Sequence, residues 1–141
     1  MEAIDLKKAE LGIIKQYIEL RNKHIKELDT KKVTLGETLD WLENQNMEIL
    51  GLVKNGQLQG VGIININRNY EFTCFTRYYR QGLGSEIIER LIDLAQKKGM
   101  ANLWCRVNEE NIASINWLKK NNWNVVKKEG KKIIFQRKLS V

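Results

Sequence analysis

Two glycines separated by one residue, Gly82-Leu83-Gly84, stand between a strand-like run and a strongly periodic helix. The run covers residues 70–76, and the helix, residues 85–98, ends before Gly99. A second apolar run, residues 102–107, follows the helix. Two strands that are joined through a helix normally lie parallel, because the helix carries the chain back to the edge where the first strand began. This turn therefore predicts a β-α-β unit within a mixed sheet.

The remaining patterns are predicted to complete a mainly antiparallel sheet. Asn55-Gly56 accepts positive φ and separates two strand-like runs, which predicts a two-residue hairpin, and Glu129-Gly130 predicts another. Thr34 and Glu37 form a capping-box pattern at the start of one helix, and Asn111 is suited to cap another. The predicted strands are residues 2–6, 47–54, 57–66, 70–76, 102–107, 123–128 and 131–139, and the predicted helices are residues 10–28, 35–45, 85–98 and 111–121. We expect an α/β (α+β) fold, with a mixed sheet of about seven strands and helices on both faces, in one domain over residues 1–141.

Composition limits the classes of protein that this chain can represent. Its 141 residues, 43% of them hydrophobic, suit one compact domain. The N-terminus is acidic and no apolar run approaches the roughly 20 residues of a membrane helix, so we expect a cytoplasmic protein. Cys74 and Cys105 lie in separate apolar runs, and the whole sequence contains only one histidine. These residues make a poor set of metal ligands, so we expect reduced cysteines in the core and no metal. The net charge of +7 can attract nucleic acid or any phosphorylated ligand, with a solubilising surface as the alternative. The lysines are dispersed, so the charge alone does not select nucleic acid.

The glycine turn also carries a chemical indication. The first N–H groups of a helix lack partners and lie at its positive end, and glycines leave no side chain in the way of a ligand. The turn therefore suits a phosphate-bearing ligand, although an ordinary strand-to-helix turn is the alternative. A dinucleotide-binding turn is disfavoured, because Ile87 stands where its third glycine belongs.

A second stretch, residues 107–123, reads VNEENIASINWLKKNNW. Asn111, Ile115, Lys120 and the pair Asn122-Trp123 stand where the pattern N-x-x-A-I-x-x-Y-x-K-x-G-F has its Asn, Ile, Lys and Gly-Phe. With the glycine turn and the order of the elements, this stretch resembles the GCN5-related N-acetyltransferase (GNAT) superfamily. The two motifs together narrow the expected ligand from any phosphate to coenzyme A.

The resemblance, which covers residues 47–139 well, implies that acetyl-CoA is the co-substrate. The family's turn reads Gln/Arg-x-x-Gly-x-Gly/Ala, whereas here Tyr79 takes the first place and Arg80 follows it. The backbone role of the turn survives this change. By the resemblance, the pyrophosphate is bound at Arg80, Gln81, Gly82, Leu83, Gly84 and Ser85, and the pantetheine arm at Asn111. The other cofactor-binding residues are expected to be Phe75, Thr76, Arg77 and Ser114. In particular, the N–H groups of Phe75 and Arg77 are expected to hold the acetyl oxygen and the CoA arm.

The implied reaction is the attack of an amine on the thioester carbonyl. Glu71, on the predicted strand beside the cleft, is the candidate base, with an exposed strand carboxylate as the alternative. His24 has a suitable ordinary pKa, but at a helix end it is also expected to be a surface cation. The family's usual tyrosine, which protonates the leaving thiolate, aligns with Leu118, and leucine has no proton to donate. Tyr79 is therefore the candidate acid, with Tyr78 or water as alternatives.

The acceptor site is expected in the N-terminal helices. Arg21-Asn22 and the helix that contains Trp41 resemble members that acetylate amino-sugar nucleotides or protein N-termini. Trp41 could stack on a sugar or base, or it could simply anchor its helix in the core.

Three functions remain open from the sequence. The first is an acetyl-CoA-dependent N-acetyltransferase acting on a primary amine of a small molecule or peptide, as a monomer or homodimer without membrane or nucleic-acid partners. The second is a CoA-binding sensor or scaffold with little turnover, which the leucine at the tyrosine position suggests. The third is a nucleic-acid-binding module, suggested by net charge alone.

Overall fold

A computed structural model gives the fold and describes residues 1–24, 28, 30–44, 46–78 and 82–139. The strands are β1 (Glu2–Asp5), β2 (Met47–Lys54), β3 (Gln57–Asn65), β4 (Glu71–Thr76), β5 (Asn102–Asn108), β6 (Asn124–Glu129) and β7 (Lys132–Lys138). The helices are α1 (Leu11–Lys23), α2 (Leu35–Leu42), α3 (Leu83–Lys97) and α4 (Ile112–Lys120), with short 3-10 turns at Leu6–Lys8 and Ile66–Arg68. Tyr79, Arg80 and Gln81, which the sequence places in the site, lie outside the described residues.

The strands form one seven-stranded sheet in the order β1-β2-β3-β4-β5-β7-β6. Neighbouring strands are antiparallel except β4 and β5, which are parallel and are joined through α3. The prediction of a mixed, mainly antiparallel sheet of about seven strands is confirmed. Seen along the chain, an antiparallel β1–β4 sheet is extended by the β-α-β unit that the glycine turn predicted.

Several helix ends differ from the prediction for local reasons. The helix α3 begins at Leu83, two residues early, because Gly82 takes a φ of +72° and serves as the N-cap. The helix α2 ends at Leu42, since the side chain of Asn44 accepts the N–H of Asn46 at 2.8 Å and so replaces a further helical turn. The helix α1 ends at Lys23, five residues before the predicted end.

The predicted turns are present, with one shift. Asn55 and Gly56 both have positive φ and close the β2–β3 hairpin. The capping box at Thr34 is formed with its partner side chain, as the sequence predicted. In the last hairpin Glu129 pairs with Lys132, so the turn lies one residue later than predicted.

The core lies on both faces of the sheet. On one face α3 and α4 pack through Ile87, Leu91 and Leu118, and on the other α1 packs through Tyr17 and Leu20. Two glycines of β3 allow α3 to come close: a Cβ on Gly60 or Gly62 would lie 2.5 or 2.6 Å from side chains of that helix. None of the helices in the described ranges is both long and apolar enough to cross a membrane.

Candidate active site

The strands β4 and β5 separate soon after they meet. They are paired at a single position, Glu71 with Trp104, next to a 3.4 Å hydrogen bond from the Trp104 N–H to the Tyr70 carbonyl. Beyond that pair, β4 continues along β3 to Thr76, while β5 continues along β7. The result is a gap in the middle of the sheet that is bordered by the backbone of β4.

The backbone groups that border this gap are not the ones predicted. The Arg77 N–H donates to the Gln59 carbonyl at 2.7 Å, so it points towards β3 and is not available to an acyl oxygen. N–H groups alternate in direction along a strand, and the Phe75 N–H therefore also points towards β3. The N–H groups of Cys74 and Thr76 point towards the gap. The sequence prediction for Phe75 and Arg77 was wrong because it fixed the strand but not the direction of its N–H groups.

The glycine turn forms the N-terminus of α3 next to the gap. The first bond of the helix runs from the Glu86 N–H to the Gly82 carbonyl at 3.1 Å, so the N–H groups of Leu83, Gly84 and Ser85 precede the helical ladder. No side chain of the described residues caps this end. Among the described residues, a Cβ on Gly84 would meet no atom within 4 Å, so this part of the chain leaves the space beside the turn open. This end of α3 is therefore suited to an anion.

The helix α4 is tied directly to the glycine turn. The Trp117 indole N–H donates to the Ser85 hydroxyl oxygen at 2.6 Å, a contact that the sequence did not predict. Asn111 caps α4 by accepting the Ser114 N–H at 3.2 Å, as its pattern predicted. Leu118, at the usual tyrosine position, is 3% exposed and packs in the core.

A cavity of about 510 Å³ lies on the opposite face of the sheet, between α1, α2 and the strands β3 to β5. Trp41 lines it and stacks on Tyr17, with the ring centres 5.6 Å apart and the planes 10° apart. Arg21 also lines it, but its guanidinium donates to the Lys31 carbonyl and the Thr30 hydroxyl. These contacts fix the segment that links α1 with α2.

Asn22 does not line this cavity. Its side-chain amide makes a two-way pair with the backbone of Val33, at 3.2 and 3.0 Å. The predicted Arg21-Asn22 pair thus holds the wall of the cavity, and only Arg21 reaches its lining.

Glu71 is buried and lines the cavity at the point where β4 and β5 separate. Its carboxylate accepts hydrogen bonds from the Arg106 Nε at 2.7 Å and Nη2 at 3.3 Å, and from the Arg68 Nη1 at 3.4 Å. The alternative of an exposed strand carboxylate is therefore wrong. The two arginines were missed by sequence reasoning, although Arg106 alternates with the core residues Leu103 and Cys105 and so had to face this side.

His24 is not the surface cation that its helix-end position suggested. It is 8% exposed, and its Nε2–H donates to the Thr76 carbonyl at 2.9 Å. Its ring packs on Phe75 with the centres 5.8 Å apart. His24 therefore joins the end of α1 to the end of β4, close to the gap.

Burial sets the titration of three groups near the site. It raises the pKa of the Cys74 and Cys105 thiols to about 12, and it raises the pKa of Tyr17 to about 12 against the opposing charge of Arg21. The thiols are free of disulfides and stay protonated at neutral pH. Across the described part of the chain, no three His, Cys, Asp or Glu side chains are grouped to hold a metal ion.

The fold, the glycine turn at residues 82–84 and the segment 107–123 together indicate the class of the protein. The acetyltransferase (GNAT) family profile matches residues 15–123, most of the chain. The chain therefore belongs to the acetyltransferase (GNAT) family, and the predicted resemblance is confirmed.

Individual relatives agree with this family. The [ribosomal protein bS18]-alanine N-acetyltransferase of Escherichia coli K12 is 38% identical over 69 residues, which are 45% of this chain and 46% of that protein. The chain thus matches about half the length of these curated relatives.

Two solved structures share the fold over nearly the whole chain. The ribosomal-protein-alanine N-acetyltransferase of Brucella melitensis superposes with a TM-score of 0.81 at 16% identity, covering 99% of this chain and all of that one. The Campylobacter jejuni N-acetyltransferase PseH in complex with acetyl coenzyme A gives a TM-score of 0.75 at 16% identity, covering 99% of each chain. At such identities the likeness concerns the fold alone.

Proposed function

We propose that the protein transfers the acetyl group of acetyl-CoA to a primary amine by direct attack of the amine nitrogen on the thioester carbonyl. The C–N bond forms as the C–S bond breaks, the amine loses a proton, and the CoA sulfur leaves and gains one. The observation that carries this proposal is the gap between β4 and β5, which opens next to the uncapped first turn of α3.

The two ends of acetyl-CoA match two sets of donors. The N–H groups of Leu83, Gly84 and Ser85 suit the pyrophosphate, because they lie at the positive end of α3 and have no helical acceptor. The N–H groups of Cys74 and Thr76 suit the pantetheine arm and the acetyl oxygen. A hydrogen bond to that oxygen stabilises the negative charge that develops on it in the transition state.

Glu71 is the proposed acceptor of the amine proton. It lies on the same strand as those N–H groups, and its side chain points into the cavity on the other face. The three arginine contacts occupy three of the roughly four acceptor positions of a carboxylate, so Oε2 keeps room for a further donor. The amine is expected to approach from this cavity.

The proton for the leaving thiolate is assigned to Tyr79, with the exposed Tyr78 or water as alternatives. Neither Leu118, buried in the core, nor Trp117, bonded to Ser85, serves as an acid in α4. A thiol has an ordinary pKa of about 8.5, so the CoA thiolate can leave before it is protonated. Without a general acid, the transfer is expected to be about 10²–10⁴ times slower.

A CoA-binding sensor with little turnover is the second candidate, and the burial of Leu118 favours it. For the first candidate, the acceptor is an amine of a small molecule, such as an amino-sugar nucleotide, or of a protein N-terminus. The Escherichia coli relative, which is named for ribosomal-protein alanine, supports the second of these acceptors.

Binding and turnover test the two candidates separately. Acetyl-CoA at 100 times its Kd is expected to stabilise the protein by about 2.7 kcal/mol. Release of free CoA thiol in the presence of an amine panel then tests transfer. Stabilisation without amine-dependent thiol release would leave only the sensor.

Gly84→Glu tests the turn itself. The new carboxylate would stand in the open space beside the N-terminus of α3, and we expect acetyl-CoA affinity to fall by about a hundred-fold or more through like-charge repulsion. Gly36→Glu is the matched control, since Gly36 lies exposed in α2 and none of the described residues has an atom within 4 Å of its Cβ position. Equal affinity of the two variants would refute the proposed pyrophosphate site.

A further inference from the structure

The cluster of Glu71, Arg68 and Arg106 carries more positive charge and more donors than its carboxylate can use. Two guanidinium groups supply ten N–H donors, whereas the carboxylate of Glu71 can accept about four hydrogen bonds. The cluster therefore has a net charge of +1, and the lining of the whole cavity keeps that sign, because Arg21 offsets Glu37 there. The cluster lines the cavity that the amine is expected to enter.

Trp104 holds both arginines at the edge of this cavity. Its indole N–H donates to the Arg68 carbonyl at 2.8 Å, and the guanidinium of Arg106 lies 5.9 Å from the centre of its ring. Arg106 is further oriented by its two bonds to Glu71. Because these contacts exist before any ligand binds, little ordering cost remains for an anion that binds to the pair.

The side chains of the two arginines remain accessible to a ligand. The Arg68 side chain is 58% exposed and that of Arg106 is 43% exposed, while the Glu71 side chain between them is 10% exposed. A planar guanidinium can donate two parallel hydrogen bonds to a carboxylate or phosphate. The geometry is therefore that of an anion site with its own internal counter-ion.

An acceptor atom suited to an amine lies in the same wall. Asn65 is the cross-strand neighbour of Glu71, and its Oδ1 is buried without a hydrogen-bond partner in the described structure. A buried oxygen without a donor is unfavourable, and an amine N–H would satisfy it once the Asn65 side chain turns towards the cavity that it lines. The wall thus combines an acceptor for N–H groups with donors for an anion.

We propose, resting on the acetyl transfer proposed above, that the acceptor is an amine which also carries a carboxylate or a phosphate group. Arg68 and Arg106 bind this anion, while Asn65 and Glu71 face the amine. Glu71 then has two tasks, because it also fixes the guanidinium of Arg106. A strongly basic acceptor, such as a polyamine, is disfavoured by the same cluster and by the net charge of +7.

Matched pairs of small amines provide the test. β-Alanine is compared with β-alaninamide, and O-phosphoethanolamine with ethanolamine, so each pair differs in its anionic group. We expect kcat/KM to be about ten- to hundred-fold higher for the charged member, as one or two charge-assisted hydrogen bonds imply. The two pairs separate a carboxylate from a phosphate preference.

Arg68→Gln should remove most of this preference and leave the KM for acetyl-CoA unchanged. Arg68 is the informative position, because it makes the weaker of the contacts to Glu71 and its loss leaves the Arg106 pair in place. Arg137→Gln is the matched control, since Arg137 lies on β7 outside the cavity and loses the same charge. A binding titration of O-phosphoethanolamine and ethanolamine in the presence of CoA, followed by tryptophan fluorescence, repeats the comparison without chemistry.

The outcomes distinguish this proposal from the proposed function. If acetyl-CoA binds and neutral amines are acetylated as well as charged ones, acetyl transfer stands and the anion site is refuted. A preference that Arg137→Gln abolishes as fully as Arg68→Gln would also refute it. If no amine is acetylated, the titration decides, and equal or absent binding of the two ligands overturns the anion site. Failure of acetyl-CoA to bind refutes the proposed function instead.

Discussion

The close contact between α3 and β3 makes Gly62→Ala an informative substitution. A Cβ at this position would lie 2.6 Å from Ile87 Cγ2 and 2.6 Å from Leu91 Cδ1. Carbon atoms in contact normally stand about 3.5–4.0 Å apart, so α3 must retreat by about 1 Å. Ile87 and Leu91 are both fully buried, so rotating either side chain would displace other core residues.

The expected cost has a structural part and a functional part. Inserting a methyl group into a packed core costs about 1–3 kcal/mol, and two buried partners place Gly62→Ala at about 2–3 kcal/mol. For a chain of this length the melting temperature should fall by roughly 6–12 °C. The free N–H groups at Leu83 to Ser85 move with the helix, and we expect acetyl-CoA affinity to fall about ten-fold or more.

The measurement is chemical denaturation together with calorimetric titration of acetyl-CoA. Gly36→Ala serves as the control, because Gly36 lies in α2 with nothing near its Cβ position. This second substitution should stabilise the protein by about 0.5–1 kcal/mol and leave the affinity unchanged. If Gly62→Ala is as stable as the original chain and binds acetyl-CoA equally well, the packing argument and its link to the turn are both refuted.

Three further predictions concern Cys105, Tyr17 and Trp117. The buried thiol of Cys105, with its pKa raised to about 12, should react with iodoacetamide at pH 8 far more slowly in the folded than in the urea-unfolded protein, and equal rates would contradict its burial. Above pH 9 the unfolded chain loses protons that the folded Cys105 and Tyr17 retain, so stability should fall as the pH rises towards 12, by up to about 1.4 kcal/mol per group and pH unit. Urea midpoints that stay constant from pH 8 to 11 would exclude this. Trp117→Phe removes the hydrogen bond to Ser85 and should lower stability by about 1 kcal/mol and weaken acetyl-CoA binding, whereas unchanged affinity would make the bond purely structural.

Local chemistry made much of the fold predictable. Asn55-Gly56 accepts left-handed backbone conformations, and the capping box of Thr34 and Glu37 satisfies helix N–H groups, without help from distant residues. The glycine turn predicted a parallel pair of strands for the same reason, since a helical connection leaves few other topologies. Each of these features depends on residues within a short stretch of sequence.

The parts that the sequence did not predict depend on contacts between distant stretches. Arg106 reaches Glu71 across the sheet, 35 residues away in sequence, and nothing local to either residue indicates the pair. His24 is buried because its ring meets Phe75 and its Nε2 meets the Thr76 carbonyl. The direction of the N–H groups of β4 likewise depends on its pairing with β3, so knowing the strand was not enough to choose the correct donors.

One strand serves both halves of the proposed reaction, and its register explains how. The side chains of alternate β4 residues, Glu71, Thr73 and Phe75, point into the cavity between α1, α2 and the sheet. The residues between them direct their N–H groups to the gap. Gly60 and Gly62 of β3 are paired with Thr76 and Cys74, so the face that carries these residues is also the face on which α3 approaches.

A slip of one residue between β3 and β4 would exchange these roles. If the slip exchanged the two faces of β3, the side chains of Val61 and Ile63 would lie beneath α3, where only glycine leaves room for Ile87 and Leu91. If the slip exchanged the two faces of β4 instead, the carboxylate of Glu71 would point away from the cavity, and the N–H of Thr76 would point away from the gap. The small residues of β3 therefore do more than admit a helix: by excluding the first of these slips, they keep the turn of α3, the donors of β4 and the carboxylate of Glu71 in one arrangement.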